Sequence, residues 1–227
     1  MKRWYYLVLL VCLVFFPVSV FSEVVFSLDF SAPKSVESAA KWLENNGFIF
    51  KLDADEFTLK FENSRLIIGN PKDTNGLLYK ETEIKNVKRV RIEWSVDTYP
   101  VGVDWEKGVT RDAVMVIITF GTEKISSGSL VVPNLPYFIG IFLGEKEKEG
   151  KAYIGNYYKK GGRYFCSPCN SEAGKTVVTD FELHDRFREL FNQKTVPPIT
   201  AIAIESDTRD LGGMSRASIR KIEFLSD

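Results

Sequence analysis

The stretch Arg89-Val90-Arg91-Ile92-Glu93-Trp94-Ser95-Val96-Asp97-Thr98-Tyr99 alternates strictly, with Val90, Ile92, Trp94 and Val96 on one face and Arg91, Glu93, Ser95 and Asp97 on the other. An extended chain points successive side chains to opposite faces, so this is a strand with one buried side. Working outward, similar runs lie at Val24 to Phe30, Phe57 to Phe61, Arg65 to Ile68, Leu77 to Glu81, Ala113 to Phe120 and Tyr137 to Leu143. Others follow at Ala152 to Tyr158, Val177 to Thr179, Ala201 to Glu205 and Ile219 to Phe224, most of them punctuated by Gly, Pro, Asn or Asp. Met115 to Phe120 is apolar almost throughout and reads as a central strand covered on both faces.

Two helices are expected beside these strands. The first runs from Ser35 to Asn46, turns Val36, Ala39, Ala40 and Leu43 inward, and ends at Gly47. The second runs from Asp180 to Phe191, with Thr179 and Glu182 as a capping box and Leu183, Phe187, Leu190 and Phe191 as its apolar stripe. Many short strands with two small helices, and no strand-helix alternation, specify an all-β antiparallel β-sandwich of jelly-roll type. The charged run Glu145 to Lys151 reads as a solvated hairpin tip, since strand patterns continue on both sides.

The amino end has its own logic. Lys2 and Arg3 precede about ten apolar residues from Leu7 to Phe16, and Val20-Phe21-Ser22 offers a cleavage site, as in an export signal. The run is about half of the roughly 20 residues that a spanning helix needs. The expected organisation is therefore a signal peptide at 1–22 and a single domain at 23–227, exported to a periplasmic or extracellular space. Retention of the signal as an anchor is the alternative, and it would be the protein's tie to a membrane. Removing 22 of the 227 residues leaves 28 basic against 30 acidic groups, a formal charge of −2 that offers no general attraction to nucleic acid. Aromatics at 13% and hydrophobic residues at 44% exclude disorder.

Outside the leader only Cys166 and Cys169 remain, in Cys166-Ser167-Pro168-Cys169. An oxidising compartment favours a disulfide between them, worth about 2 kcal/mol through so short a ring. Redox catalysis would put the pair at a helix amino terminus, whereas Gly161 to Phe165 and Asn170 to Gly174 read as strand and loop. Zinc would need further ligands, and His184 is the one histidine.

Catalytic signatures are missing. Gly174-Lys175-Thr176 resembles the end of a phosphate loop, but Cys169 stands where that loop needs its first glycine. His184 sits on the amphipathic helix beside Asp185, without a nucleophile signature nearby. No catalytic residue is assigned. A glycan hydrolase would draw on carboxyls among Asp97, Asp104 and Glu205, since that chemistry needs a pair about 5 to 9.5 Å apart. Glu205, Asp207 and Asp210 leave a buried strand beside a Gly212-Gly213 turn and are candidate calcium ligands; no other cofactor is called for. Tyr153, Tyr157, Tyr158, Tyr164 and Trp105 are the candidate ligand platform, because an exposed aromatic beside polar groups suits a sugar ring.

Several features together resemble an exported bacterial family, the domain of unknown function 3047: the Trp94 strand, Arg111-Asp112-Ala113 entering an apolar strand to Phe120, Pro197-Pro198-Ile199-Thr200, and Asp207-Thr208 ahead of a glycine turn. The resemblance implies a galactose-binding-like sandwich, similar to many carbohydrate-binding modules. The chain departs from the family pattern at Arg209-Asp210, where the family tends to continue with an Asp-Asn pair. Arg111 and Asp112 read as a structural ion pair. The expected function is non-enzymatic binding of carbohydrate or a cell-envelope polymer, with an envelope glycan hydrolase or a protein-interaction module as alternatives. Thiol counting on the denatured, unreduced protein should find neither Cys166 nor Cys169 free, leaving Cys12 as the sole reactive thiol while the leader is attached; further free thiols would move the pair toward metal or redox chemistry.

Overall fold

A computed structural model describes residues 23–31, 38–70 and 73–226. The leader, Cys12, Val36 and the expected start of the first helix lie outside the described residues. The element order is β1 (Val24–Asp29), α1 (Ala39–Asn45), β2 (Phe48–Leu52), β3 (Thr58–Glu62), β4 (Arg65–Asn70), β5 (Asn75–Ile84), β6 (Arg89–Thr98) and β7 (Asp112–Ile125). It continues through β8 (Leu135–Gly144), β9 (Gly162–Cys169), β10 (Val177–Glu182), α2 (His184–Phe191), β11 (Ile199–Asp207) and β12 (Ser215–Leu225).

The strands form two six-stranded sheets. One has the order β10-β6-β12-β4-β3, with β1 also on β12; the other has β2-β5-β11-β7-β8-β9. The β8–β9 pair is parallel and the other pairs are antiparallel. The fold is therefore the expected β-sandwich, its core filled from both inner faces by residues such as Trp94, Ile92, Ile118, Phe120, Ile202 and Phe224. Met115 and Ile117 point the other way, under Trp105, so the middle of β7 is covered on both sides as its sequence requires.

Trp94 is fully buried, and its indole N–H donates to Thr179 Oγ1 at 2.9 Å. The Thr179 hydroxyl donates in turn to the Ser167 carbonyl at 2.6 Å. This relay joins β6 and β10 of one sheet to β9 of the other, and Ser167 lies inside the Cys166–Cys169 disulfide, whose Cα atoms are 5.4 Å apart.

Some local expectations give way. Thr179 and Glu182 do not cap a helix: residues 177–182 form β10, with Thr179 and Phe181 buried, Asp180 paired to Arg89 and Arg91, and α2 starting at His184. Period two wins there because Val177, Thr179 and Phe181 share one face against β6. The apolar stripe of α2 is as expected, with Phe187 against Phe120 and Tyr137. Ala152 to Tyr158 is not a strand; Tyr153 pairs with Tyr164 in an isolated bridge and the rest is loop. Residues 145–151 are not a hairpin tip, because parallel β8 and β9 require a crossover between them. Glu147 within that stretch is buried and accepts from the Trp105 and Lys146 N–H groups. The strand β2 had no sequence assignment; it pairs with β5 as an edge. α1 opens with Ser38 as its cap, accepting from the Lys41 N–H, and Gly47 at φ +80° ends it as anticipated.

Replacing Thr179 with Val should strand both the Trp94 N–H and the Ser167 carbonyl, at a cost of about 1–3 kcal/mol. A shift of the urea midpoint no larger than that of the exposed neighbour variant Val178→Ala would show that the relay contributes nothing.

Candidate functional site

On the second sheet Asp207 of β11 lies opposite Asn75 of β5 on one side and Asp112 of β7 on the other. Residues directly opposite in neighbouring strands share a face, so Asn75, Asp207 and Asp112 form one polar row. Glu205, two residues back on β11, adds to it between Leu77 and Met115. This is the sheet's outer face, since Leu78, Ile204 and Val116 fill the core on the other.

Asp207 is held by the Arg209 guanidinium through two bonds of 3.1 and 3.0 Å, with Arg111 3.5 Å away. Arg111 also donates to Asp210 at 2.8 Å and to the Arg209 carbonyl at 2.9 Å. Asn75 donates to Glu205 at 3.2 Å. Two buried side-chain oxygens in the row, Asn75 Oδ1 and Asp112 Oδ1, have no hydrogen-bond partner among the described residues. Such acceptors are costly to bury unless something donates to them.

Burial pushes the Asp112 carboxyl well above the usual carboxylate range, and the negative charges of Glu205 and Asp207 push it further. Burial, then Asp207, pushes Glu205 up to about 7 against the pull of Asn75 and the two arginines. Burial, then Glu205, raises the Tyr164 phenol. A narrow crevice lined by Tyr99, Val103, Arg111, Asp112, Phe142 and Glu147 leads to one end of the row. Farther along β5 on the same face, the half-buried Tyr79 ring carries Lys51 Nζ 3.4 Å over its face.

No family model and no curated protein matches the chain. Two solved structures resemble it over most of its length. One is the carbohydrate recognition domain of Emp46p, at 14% identity and a TM-score of 0.47, covering 91% of this chain and 99% of that one. The other is the family 29 carbohydrate-binding module CBM29-2, at 12% identity and a TM-score of 0.38, covering 91% and 92%.

The expected aromatic residues do gather, though mostly as packing. Trp105 stacks on Phe142 at 4.6 Å and meets Tyr153 and Tyr164, and Trp105 and Tyr153 are buried. Tyr153 donates its hydroxyl to Glu106, and burial carries its phenol up to about 12. Of the five, Tyr157 alone is well exposed, at 50%; Tyr158 is half-buried and donates to the Pro133 carbonyl. The cluster thus covers the sheet beside the acidic row instead of offering an open platform.

The expected calcium ligands do not converge: Asp207 and Asp210 are paired with arginines, Glu205 is held by Asn75, and no group of three or more His, Cys, Asp or Glu side chains among the described residues is placed to hold a metal ion. The expected Arg111–Asp112 pair is replaced by Arg111–Asp210 and Arg111–Asp207. Asp97 is bound by Arg216 at 2.9 Å and Asp104 by Lys107 at 2.9 Å, so these two are each neutralised separately. His184 meets Asp185 at 3.0 Å on α2. Sequence reasoning missed Asn75, Tyr79 and the role of Asp112; the alternation Asn75, Leu77, Tyr79 was the available signal for the first two.

A carboxyl raised on folding holds its proton more tightly in the folded state, so its stabilising contribution is complete below the unfolded value near 4.5 and is lost as pH rises through about 7. Stability should fall between pH 5 and 8, and Glu205→Gln should remove up to about 3 kcal/mol of that fall. Melting curves across this range check it; an equally steep decline in the variant would place the titrating proton elsewhere.

Proposed function

We propose that this is an exported, non-enzymatic module that binds carbohydrate or a cell-envelope polymer on the outer face of the second sheet. The observation that carries the reading is the pair of buried, unpartnered acceptors, Asn75 Oδ1 and Asp112 Oδ1, beside the raised Glu205 carboxyl. Sugar hydroxyls are donors as well as acceptors and would satisfy such oxygens once the side chains over them move aside, while Lys51, held over the Tyr79 ring on the same face, supplies a cationic donor. The disulfide and the amino-terminal leader pattern support an oxidising, extracytoplasmic location. Among the described residues no helix is long and apolar enough to cross a membrane. The likeness to the domain of unknown function 3047 belongs to the same proposal.

One observation favours a second reading, an envelope glycan hydrolase: a carboxyl at about 7 is suited to act as a general acid near neutrality. Asp97 and Asp104, each held by its own cation, have no part in it.

A panel of glycans and envelope polysaccharides, assayed together for binding and for released sugar, separates the two. Binding with a Kd between about millimolar and micromolar and no release is expected. Asn75→Ala and Tyr79→Ala should each weaken it by about tenfold without lowering the folded fraction. Unchanged binding in both variants would remove this face as the site, and release that Glu205→Gln abolishes would promote the hydrolase.

A further inference from the structure

The connection between β7 and β8 holds apolar side chains out in water. Leu130 is fully exposed and Val131 is 89% exposed. They do not sit on a slack loop. The buried Ser127 hydroxyl donates to the Val132 carbonyl at 2.7 Å and accepts from the Ser129 N–H, while Ser129 Oγ accepts from the Val131 and Val132 N–H groups. Asn134 closes the base by accepting from the Ser127 N–H at 3.0 Å.

A second turn, 158–162, is fastened to this loop. The Tyr158 N–H donates to the Ser127 carbonyl and its hydroxyl to the Pro133 carbonyl, each at 2.9 Å. Tyr158 is held at φ +58°, an uncommon conformation for a residue with a side chain, by this docking and by the Gly161 and Gly162 N–H groups on its own carbonyl. The arrangement sets Lys159 and Lys160 beside the tip, with Lys124 on the β7 arm and the exposed Ile154 and Tyr157 on the preceding segment. None of these three lysines forms an ion pair among the described residues, and Glu123 is the single acid in 121–135 and 154–163.

We propose that this tip docks the protein on an anionic lipid surface, Leu130 and Val131 entering the headgroup boundary while Lys124, Lys159 and Lys160 meet the lipid phosphates. A consecutive apolar pair held rigidly in water, with an aromatic alongside and a cationic collar, matches what an interface demands: apolar area for the acyl boundary and positive charge for the headgroups. The charge balance is what selects an anionic bilayer over an uncharged apolar partner. The tip lies at the opposite end of β7 from Asp112 and shares no residue with the polar row.

The test is cosedimentation of the full chain with phosphatidylcholine vesicles containing or lacking phosphatidylglycerol. Residues 1–22 bring their own apolar run, so the readout is the difference between variants carrying the same leader. Leu130→Ser with Val131→Ser should weaken binding at least about tenfold. Lys159→Glu with Lys160→Glu should weaken it at least about 25-fold, near fivefold per lysine, on the anionic vesicles alone and less at high salt. Val101→Ser, which removes another apolar residue that is 79% exposed after β6, should change nothing. Equal binding by the parent and both double variants, an equal loss in Val101→Ser, or no preference for phosphatidylglycerol would each overturn the proposal.

Discussion

The sandwich depends on satisfying one indole. Trp94 is too large to leave the centre of β6 and carries an N–H that cannot stay unpaired there, so the chain must bring an acceptor into the core. Thr179 does so, and because its hydroxyl has a proton to pass on, it reaches the Ser167 carbonyl of the opposite sheet. A single threonine thereby sets the position of β10, fixes where β9 meets the first sheet and gives the Cys166–Cys169 ring a structural purpose: it holds the segment presenting that carbonyl.

With β9 tied there and parallel to β8, the long connection between them must cross the outer face of the second sheet. That crossover carries Tyr153, and together with Trp105 it packs over Phe142 and Met115. The aromatic residues are thereby used to cover a sheet face, and the row formed by Asn75, Asp207 and Asp112 lies buried beside them, with the half-buried Tyr79 farther along β5. Two arginines on short tethers, Arg111 and Arg209, take up Asp207 and Asp210 but leave the Asp112 oxygen unmet. The row consequently combines carboxyls raised by burial with acceptors that no described residue satisfies.

Much of the frame was legible because burial on one side of a strand imposes a period of two. Val90 to Val96, Met115 to Phe120 and Ala201 to Glu205 each occupy the strand their pattern implied. Errors arose where two patterns overlapped. Asp180 to Leu183 satisfies a helix start and a strand end equally, and pairing with β6 decides between them. Tyr153, Tyr157 and Tyr158 alternate well enough for a strand, yet no neighbouring edge accepts them beyond the one bridge at Tyr164.

The sequence by itself determined that this chain is a sandwich, since burial on one side of each strand imposes a period of two, and it left Cys166 and Cys169 as the pair outside the leader. Only the tertiary structure decided the candidate site. Asn75, Asp112 and Asp207 are separated by long stretches of chain and become neighbours through strand register, which is set by how the inner faces pack and not by any residue in the row. The same holds for the exposure of Leu130 and Val131, because whether an apolar pair is buried depends on what the rest of the fold brings to cover it.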